Sequence, residues 1–125
     1  MIHYLTLEDV LAIHGKHAGT AGIRDAGAIA AAVARPQATV FGEDAYDTIW
    51  EKAAALLHSL ACNRGFTDGN KRTAWLCARV FLAANGHVPD PRTDEDAAVQ
   101  FMVAVAEGHY TDVKTIAGEL VKFFR

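Results

Sequence analysis

The stretch NRGFTDGNKRTAW, residues 63–75, concentrates the side chains that could do chemistry. Two glycines, Gly65 and Gly69, stand in a turn before a long apolar run, and Lys71 and Arg72 open that run. The first N–H groups of a helix lack partners and carry partial positive charge, so a helix start binds anions. Glycine lets a phosphate approach the backbone closely. Two cations at this end of a helix are unfavourable by themselves, which indicates an anionic ligand.

Asp68 extends this prediction from an anion to a nucleotide. A carboxylate repels a phosphate unless a Mg²⁺ ion lies between them, as in most nucleotide-using sites. Asn70 could bond either a phosphate or the turn itself. Together these residues predict a Mg²⁺–polyphosphate site. The alternative stays open that Asp68 is an N-cap, that the glycines are ordinary turn residues, and that the cations belong to a solvated first turn.

Helices must position this turn. Apolar residues recur at helical spacing in six segments: 6–15, 26–34, 47 to the turn, 70–85, 93–107 and 113–124. The fourth contains TAWLCARVFLAA, which is apolar almost all the way round, so we expect it to be the buried central helix. Between the second and third, Thr39 and Val40 followed by Phe41 and Gly42 predict a short extended flap. We therefore expect an all-α fold, a compact single-domain bundle of about six helices covering residues 1–125.

Composition excludes several classes of function. The chain has 12 Lys and Arg residues against 15 Asp and Glu residues, a formal net charge of −3, and no basic stripe, so no direct nucleic-acid partner is expected. No apolar stretch reaches the roughly 20 residues of a membrane span, and the first residues do not resemble a signal peptide. We expect a cytoplasmic protein without a membrane partner. Cys62 and Cys77 fall within apolar helical patterns, which favours buried free thiols.

The segment GFTDGNKRTA resembles the signature of the Fic/Doc superfamily, H-x-F-x-[DN]-[AG]-N-[KG]-R. The match covers Phe66, Asp68, Gly69, Asn70, Lys71 and Arg72. Adenylylating Fic enzymes usually have glycine at the position of Lys71 and arginine at that of Trp75, so this chain resembles the Doc (death-on-curing) branch. That resemblance implies the toxin of a type II toxin–antitoxin system. The activity implied is a protein kinase that transfers the γ-phosphate of ATP to a threonine of elongation factor Tu, thereby inhibiting translation, and is neutralised by a Phd-type antitoxin.

The resemblance also implies roles for individual residues. Asp68 would hold Mg²⁺, Phe66 would anchor the loop in the core, and the protein target would contact the flap around residues 37–47. The nucleotide phosphates would be bound by Gly69, Asn70, Lys71 and Arg72. Of these, Lys71 and Arg72 would act with Asp68 in catalysis. Phosphoryl transfer depends mostly on positioning and charge neutralisation, which this set of residues suits.

Position 64 departs from the family pattern. The family has a histidine two residues before the phenylalanine, which would deprotonate the target hydroxyl, and here that residue is Arg64. A guanidinium group has no acceptor lone pair and does not lose its proton in a protein, so it cannot act as a general base. Base catalysis is typically worth about two to four powers of ten in rate. We therefore expect this form to be inactive or severely impaired.

None of the six histidines is an obvious replacement for this base. His58 lies on the preceding helix, about a turn and a half upstream, and we expect it to be packed within the bundle. His14 and His17 have i, i+3 spacing without nearby ligand partners.

Several alternatives stay open at this point. Arg64 is either an inactivating His→Arg change, selected or designed because an active toxin kills its host, or the native residue of a pseudoenzyme that binds nucleotide or antitoxin. Adenylyl transfer is an alternative reaction within the same superfamily. Arg64 could also pair with Asp68 or reach a phosphate.

Overall fold

The fold, a computed structural model that describes residues 1–18 and 22–125, is built from helices. Within these ranges the six α-helices are α1 (Leu7–His17), α2 (Ala26–Ala34), α3 (Ile49–Asn63), α4 (Asn70–Ala84), α5 (Glu95–Ala106) and α6 (Val113–Leu120). Short 3-10 turns follow α2 and α6, at Arg35–Gln37 and Val121–Phe123. The predicted all-α fold, with a short flap before the third helix, is confirmed.

Side-chain caps determine where most helices start. Thr6 and Asp9 form a capping box at α1, and Asp25 accepts the Ala28 N–H at the start of α2. The cap of α3 is Thr48, one residue after the predicted start, and the cap of α5 is Asp94. These differences are small because neighbouring polar residues compete for the same role.

The prediction that α4 is the central helix is wrong, because α3 occupies that place. Helix α3 contacts α2, α4, α5 and α6, and it buries residues along almost its whole length. Its alanines Ala53, Ala54 and Ala55 are fully buried and keep the helix narrow, so neighbours can pack closely on several sides. Helix α4 instead leaves Arg79 and Val80 exposed to solvent.

The flap is an antiparallel hairpin of β1 (Thr39–Val40) and β2 (Glu43–Asp44). Its two-residue turn has positive φ at both Phe41 (53°) and Gly42 (82°), which matches the type I′ turn that suits the twist of a hairpin. Phe41 is fully exposed at the tip.

Two cations attach the base of the flap to α3. Lys52 is 1% exposed, and its Nζ donates hydrogen bonds to Asp44 Oδ2 at 3.1 Å and to the carbonyl oxygen of Tyr46. Arg35 donates from Nε to the Tyr46 hydroxyl at 2.8 Å. Because a buried lysine needs a partner for its charge, the hairpin and α3 hold each other in place.

Among the helices of residues 1–18 and 22–125, none is both long enough and apolar enough to cross a membrane.

Candidate active site

The predicted phosphate loop connects α3 to α4. Helix α3 ends at Asn63, and its C-cap is Arg64, an exposed residue in the left-handed conformation with φ 51° and ψ 52°. Non-glycine residues adopt this conformation uncommonly, and it turns the chain away from the helix axis. The ion pairs of the described residues do not include one between Arg64 and Asp68.

Both glycines of the loop are required by close packing against protein. A Cβ on Gly65 would lie 2.4 Å from Cγ1 of Ile29 on α2. A Cβ on Gly69, where φ is 76°, would lie 2.5 Å from Cβ of Ala18 after α1. On the side where a Cβ would lie, protein atoms fill the space beside both glycines, so packing within the protein is a reason for glycine at both positions.

The loop is held by hydrogen bonds to its own backbone and to the segment before α2. Asn70 accepts the N–H of Phe66 on Oδ1 at 3.0 Å and donates from Nδ2 to the Phe66 carbonyl at 2.9 Å. The side chain of Asn70 therefore bonds the turn itself. Thr67 also exchanges two bonds with Gly22, from its N–H to the Gly22 carbonyl and from the Gly22 N–H to Oγ1. These bonds between protein groups give the loop a defined shape.

His14, which its spacing in the sequence does not connect to the site, lies directly against the loop. His14, on α1, is 3% exposed and stacks on the Phe66 ring with centroids 3.6 Å apart and planes 7° from parallel. Its Nε2 lies 3.0 Å from the carbonyl oxygen of Asp68. The available signal was a polar residue on the apolar stripe of α1, but the contact spans 54 positions and no spacing rule finds it.

At the start of α4, backbone N–H groups that have no acceptor within the helix lie next to a carboxylate. Gly69 is the N-cap and no side chain caps this end, while Thr73 N–H makes the first bond of the helix, to the Gly69 carbonyl. The N–H groups of residues 70–72 precede that bond and have no intrahelical acceptor. Lys71 and Arg72 are exposed at the same end, and Arg72 Nη1 lies 3.4 Å from the His17 carbonyl.

Asp68 is the carboxylate at this helix start. Its Oδ1 accepts the Gly69 N–H at 2.8 Å, and the side chain is exposed. In the part of the chain that the structure describes, no group of three or more His, Cys, Asp or Glu residues could enclose a metal. One carboxylate beside anion-binding donors fits Mg²⁺, which commonly takes one or two protein carboxylates together with substrate phosphates and water. It does not fit a metal held by protein side chains alone.

His58 belongs to the flap's support. Arg35 donates from Nη1 to Nδ1 of His58 at 2.9 Å and to Oγ of Ser59 at 2.9 Å. Because arginine is only a donor, Nδ1 of His58 must be the acceptor. Burial, followed by the charge of Arg35, lowers the pKa of His58 from its ordinary 6.5. These contacts agree with the expectation that His58 is packed within the bundle.

The His58 contact predicts a pH dependence of stability. Since the folded pKa is lowered, the unfolded chain binds more protons below about pH 6.5, and the free energy of unfolding falls as the pH drops through that value toward the folded pKa. His58→Asn, which keeps an acceptor near Arg35 but does not titrate, should lose less stability between about pH 7.5 and 5 in urea denaturation. The exposed Gln100→Asn removes no titratable group, so it is the control and should leave the profile unchanged. Equal profiles for His58→Asn and the parent would contradict the assignment.

The loop and the helices that support it match a known protein family. A model of the family described as Fic/DOC matches residues 4–82, which is more than half of the chain and includes the loop and its supporting helices. The chain belongs to the Fic/DOC family. The matched region runs from before α1 into α4, so α5 and α6 lie beyond it.

Two Fic/DOC relatives cover most of the chain. A protein named Toxin Doc, from Mycolicibacterium smegmatis, is 49% identical over 124 residues, which is 98% of this chain and 95% of the relative. A protein named Protein kinase doc, from Escherichia phage P1, is 34% identical over 89 residues, or 68% of this chain and 70% of the relative. Both relatives bear the Doc name, in agreement with the Doc-type resemblance of Lys71 and Trp75.

Proposed function

We propose that this chain is the toxin of a toxin–antitoxin pair, a Doc-type kinase that transfers the γ-phosphate of ATP to a threonine of elongation factor Tu. The observation that carries the proposal is the arrangement at the start of α4. There, backbone N–H groups without an acceptor in the helix lie beside the exposed Asp68, together with Lys71 and Arg72. Similarity to a protein named a kinase and to one named a toxin supports the reaction and the biological role.

In this reaction the threonine hydroxyl oxygen forms a bond to the γ-phosphorus, and the bond from that phosphorus to the oxygen bridging to the β-phosphate breaks, releasing ADP. The α4 N–H groups, Lys71 and Arg72 bind phosphate oxygens and stabilise the negative charge of the transition state. Asp68 would hold Mg²⁺ through a carboxylate oxygen. Mg²⁺, when bound, neutralises phosphate charge and orients the transferred group.

The threonine proton must leave during this step, and Arg64 cannot take it. A histidine at position 64 would have a ring nitrogen to accept the proton. The reaction therefore takes place at the loop before α4, and phosphate transfer by the Arg64 form is greatly slowed.

Labelled ATP tests the reaction type. The Arg64→His chain is incubated with Mg²⁺, elongation factor Tu and ATP labelled at either the α- or the γ-phosphorus. Transfer of γ-label to a threonine supports the kinase, whereas transfer of α-label would identify an adenylyltransferase. Transfer of neither label, by a chain that still binds ATP, would identify a non-catalytic binding module.

Neutralisation by an antitoxin is the second part of the proposal. Co-expression of a Phd-type antitoxin should restore growth to cells that produce the Arg64→His chain, and the two proteins should purify together. Unchanged growth arrest in the presence of a matched antitoxin from the same operon would contradict the toxin–antitoxin assignment.

A further inference from the structure

The orientation of one peptide group connects His14 to the carboxylate of Asp68. The carbonyl oxygen of Asp68 faces Nε2 of His14 at 3.0 Å. A carbonyl oxygen only accepts, so Nε2 must carry the proton of this bond. In a planar trans peptide the C=O and the following N–H point in opposite directions, and no cis peptide bond occurs in the described ranges. Fixing the Asp68 carbonyl therefore also fixes the direction of the Gly69 N–H.

The Gly69 N–H in turn fixes one oxygen of the carboxylate. It donates to Oδ1 of Asp68 at 2.8 Å. The other oxygen, Oδ2, is left with a defined direction at the start of α4. A rotation of this peptide would move the N–H away from Oδ1 and release the carboxylate to other rotamers.

His14 is itself held rigidly enough to act as a reference point. It is 97% buried, given its 3% exposure, and stacks in parallel on Phe66, whose backbone is bonded by Asn70. The missing Cβ of Gly69 lets the turn approach α1, since a Cβ there would lie 2.5 Å from Cβ of Ala18 and 3.7 Å from Nε2 of His14. The ring and the peptide therefore meet in a packed contact between two helices.

We propose that His14 is a positioning residue for the metal-binding carboxylate: its Nε2–H sets the Asp68–Gly69 peptide, and through it the direction of Asp68 Oδ2. The inference rests on the proposed function in one respect, namely that Asp68 is the carboxylate that meets Mg²⁺. Groups that orient metal ligands typically affect metal affinity or activity by about 10- to 100-fold when they are removed.

The test compares two substitutions of His14, one that keeps an aromatic ring and one that keeps an N–H donor. His14→Phe keeps an aromatic ring against Phe66 but has no donor, whereas His14→Gln offers an amide N–H at about the reach of Nε2. Binding of Mn²⁺, in place of Mg²⁺, to the Arg64 chain with a non-hydrolysable ATP analogue is followed by electron paramagnetic resonance. We expect His14→Phe to weaken Mn²⁺ binding by about 10- to 100-fold and His14→Gln to recover most of the loss.

Two further variants separate positioning from general destabilisation. Ile116→Val removes a methylene group from the buried face of α6, where α6 packs on α3, and it should leave Mn²⁺ binding unchanged. Asp68→Asn should weaken Mn²⁺ binding at least as much as His14→Phe. Parent-like Mn²⁺ affinity in His14→Phe, or in Asp68→Asn, overturns the proposal, as does equal weakening in His14→Gln and His14→Phe.

Activity distinguishes failure of this inference from failure of the proposed function. In the Arg64→His background, His14→Phe should lower kcat by about 10- to 100-fold at a fixed Mg²⁺ concentration, with partial recovery in His14→Gln. If the Arg64→His chain transfers no phosphate while Mn²⁺ affinity still depends on His14, the kinase fails and the positioning role stands. If phosphate is transferred but His14→Phe does not change the Mn²⁺ affinity, the positioning role is refuted and the kinase activity is supported.

Discussion

Replacing Arg64 by histidine is expected to raise the rate of phosphate transfer to elongation factor Tu by about two to four powers of ten over the Arg64 chain. The gain comes from one ring nitrogen that accepts the threonine proton as the oxygen attacks phosphorus. The loop after position 64 already has a defined shape, because Asn70, Thr67 and His14 hold it by hydrogen bonds. Single-turnover rates with γ-labelled ATP measure the effect, and expression in bacteria should arrest growth.

Arg64→Gln is the matched control for this experiment. Glutamine removes the guanidinium charge but cannot serve as a general base near neutral pH. The Arg64→Gln chain should therefore stay close to the Arg64 rate. A gain in Arg64→Gln as large as in Arg64→His would show that the arginine blocks the site, and the missing base would then not be the cause. A correctly folded Arg64→His chain with neither transfer nor growth arrest would refute the kinase.

Removing the Phe66 ring is expected to lower the free energy of unfolding by about 3–5 kcal/mol, the usual cost of Phe→Ala in a core. Phe66 is 2% exposed and fills the space between His14 and the centre of the bundle. Its loss leaves a cavity beneath the loop and removes the surface on which His14 stacks. Urea denaturation followed by circular dichroism measures the change.

A second phenylalanine of the same chain gives the control. Phe41 is fully exposed at the tip of the flap, so Phe41→Ala should change the free energy of unfolding by no more than about 0.5 kcal/mol. Similar losses for Phe66→Ala and Phe41→Ala would contradict the burial on which this prediction depends.

The helices could be predicted from the sequence because their information is local. Helical spacing and caps such as Asp25 lie within a few residues of each helix start, and the flap follows from β-branched residues next to Gly42. Which of α3 and α4 lies at the centre of the core could not be predicted in the same way. A helix that is apolar all round and one that is narrow and alanine-rich can both be central, and the choice depends on which neighbours pack against them.

The contacts of the candidate site could be predicted from the sequence only in part. The loop and its charged residues follow from one short segment, but the contacts of His14 with Asp68 and of Arg35 with His58 join residues 54 and 23 positions apart. The glycines show the same limit. Sequence identifies Gly65 and Gly69 as small, whereas only the packed helices show that Ile29 and Ala18 are what they make room for.

The left-handed backbone at Arg64 has a consequence for how this position can change over time. With φ at 51°, the site disfavours most side chains, yet histidine is among the few non-glycine residues that are several-fold enriched in this conformation. Codons for histidine and arginine can differ by a single base. The two residues are therefore mutational neighbours, and the step from Arg64 to histidine meets no conformational obstacle in the backbone. Because the backbone accommodates both residues, selection between them can act on what the protein does to its host.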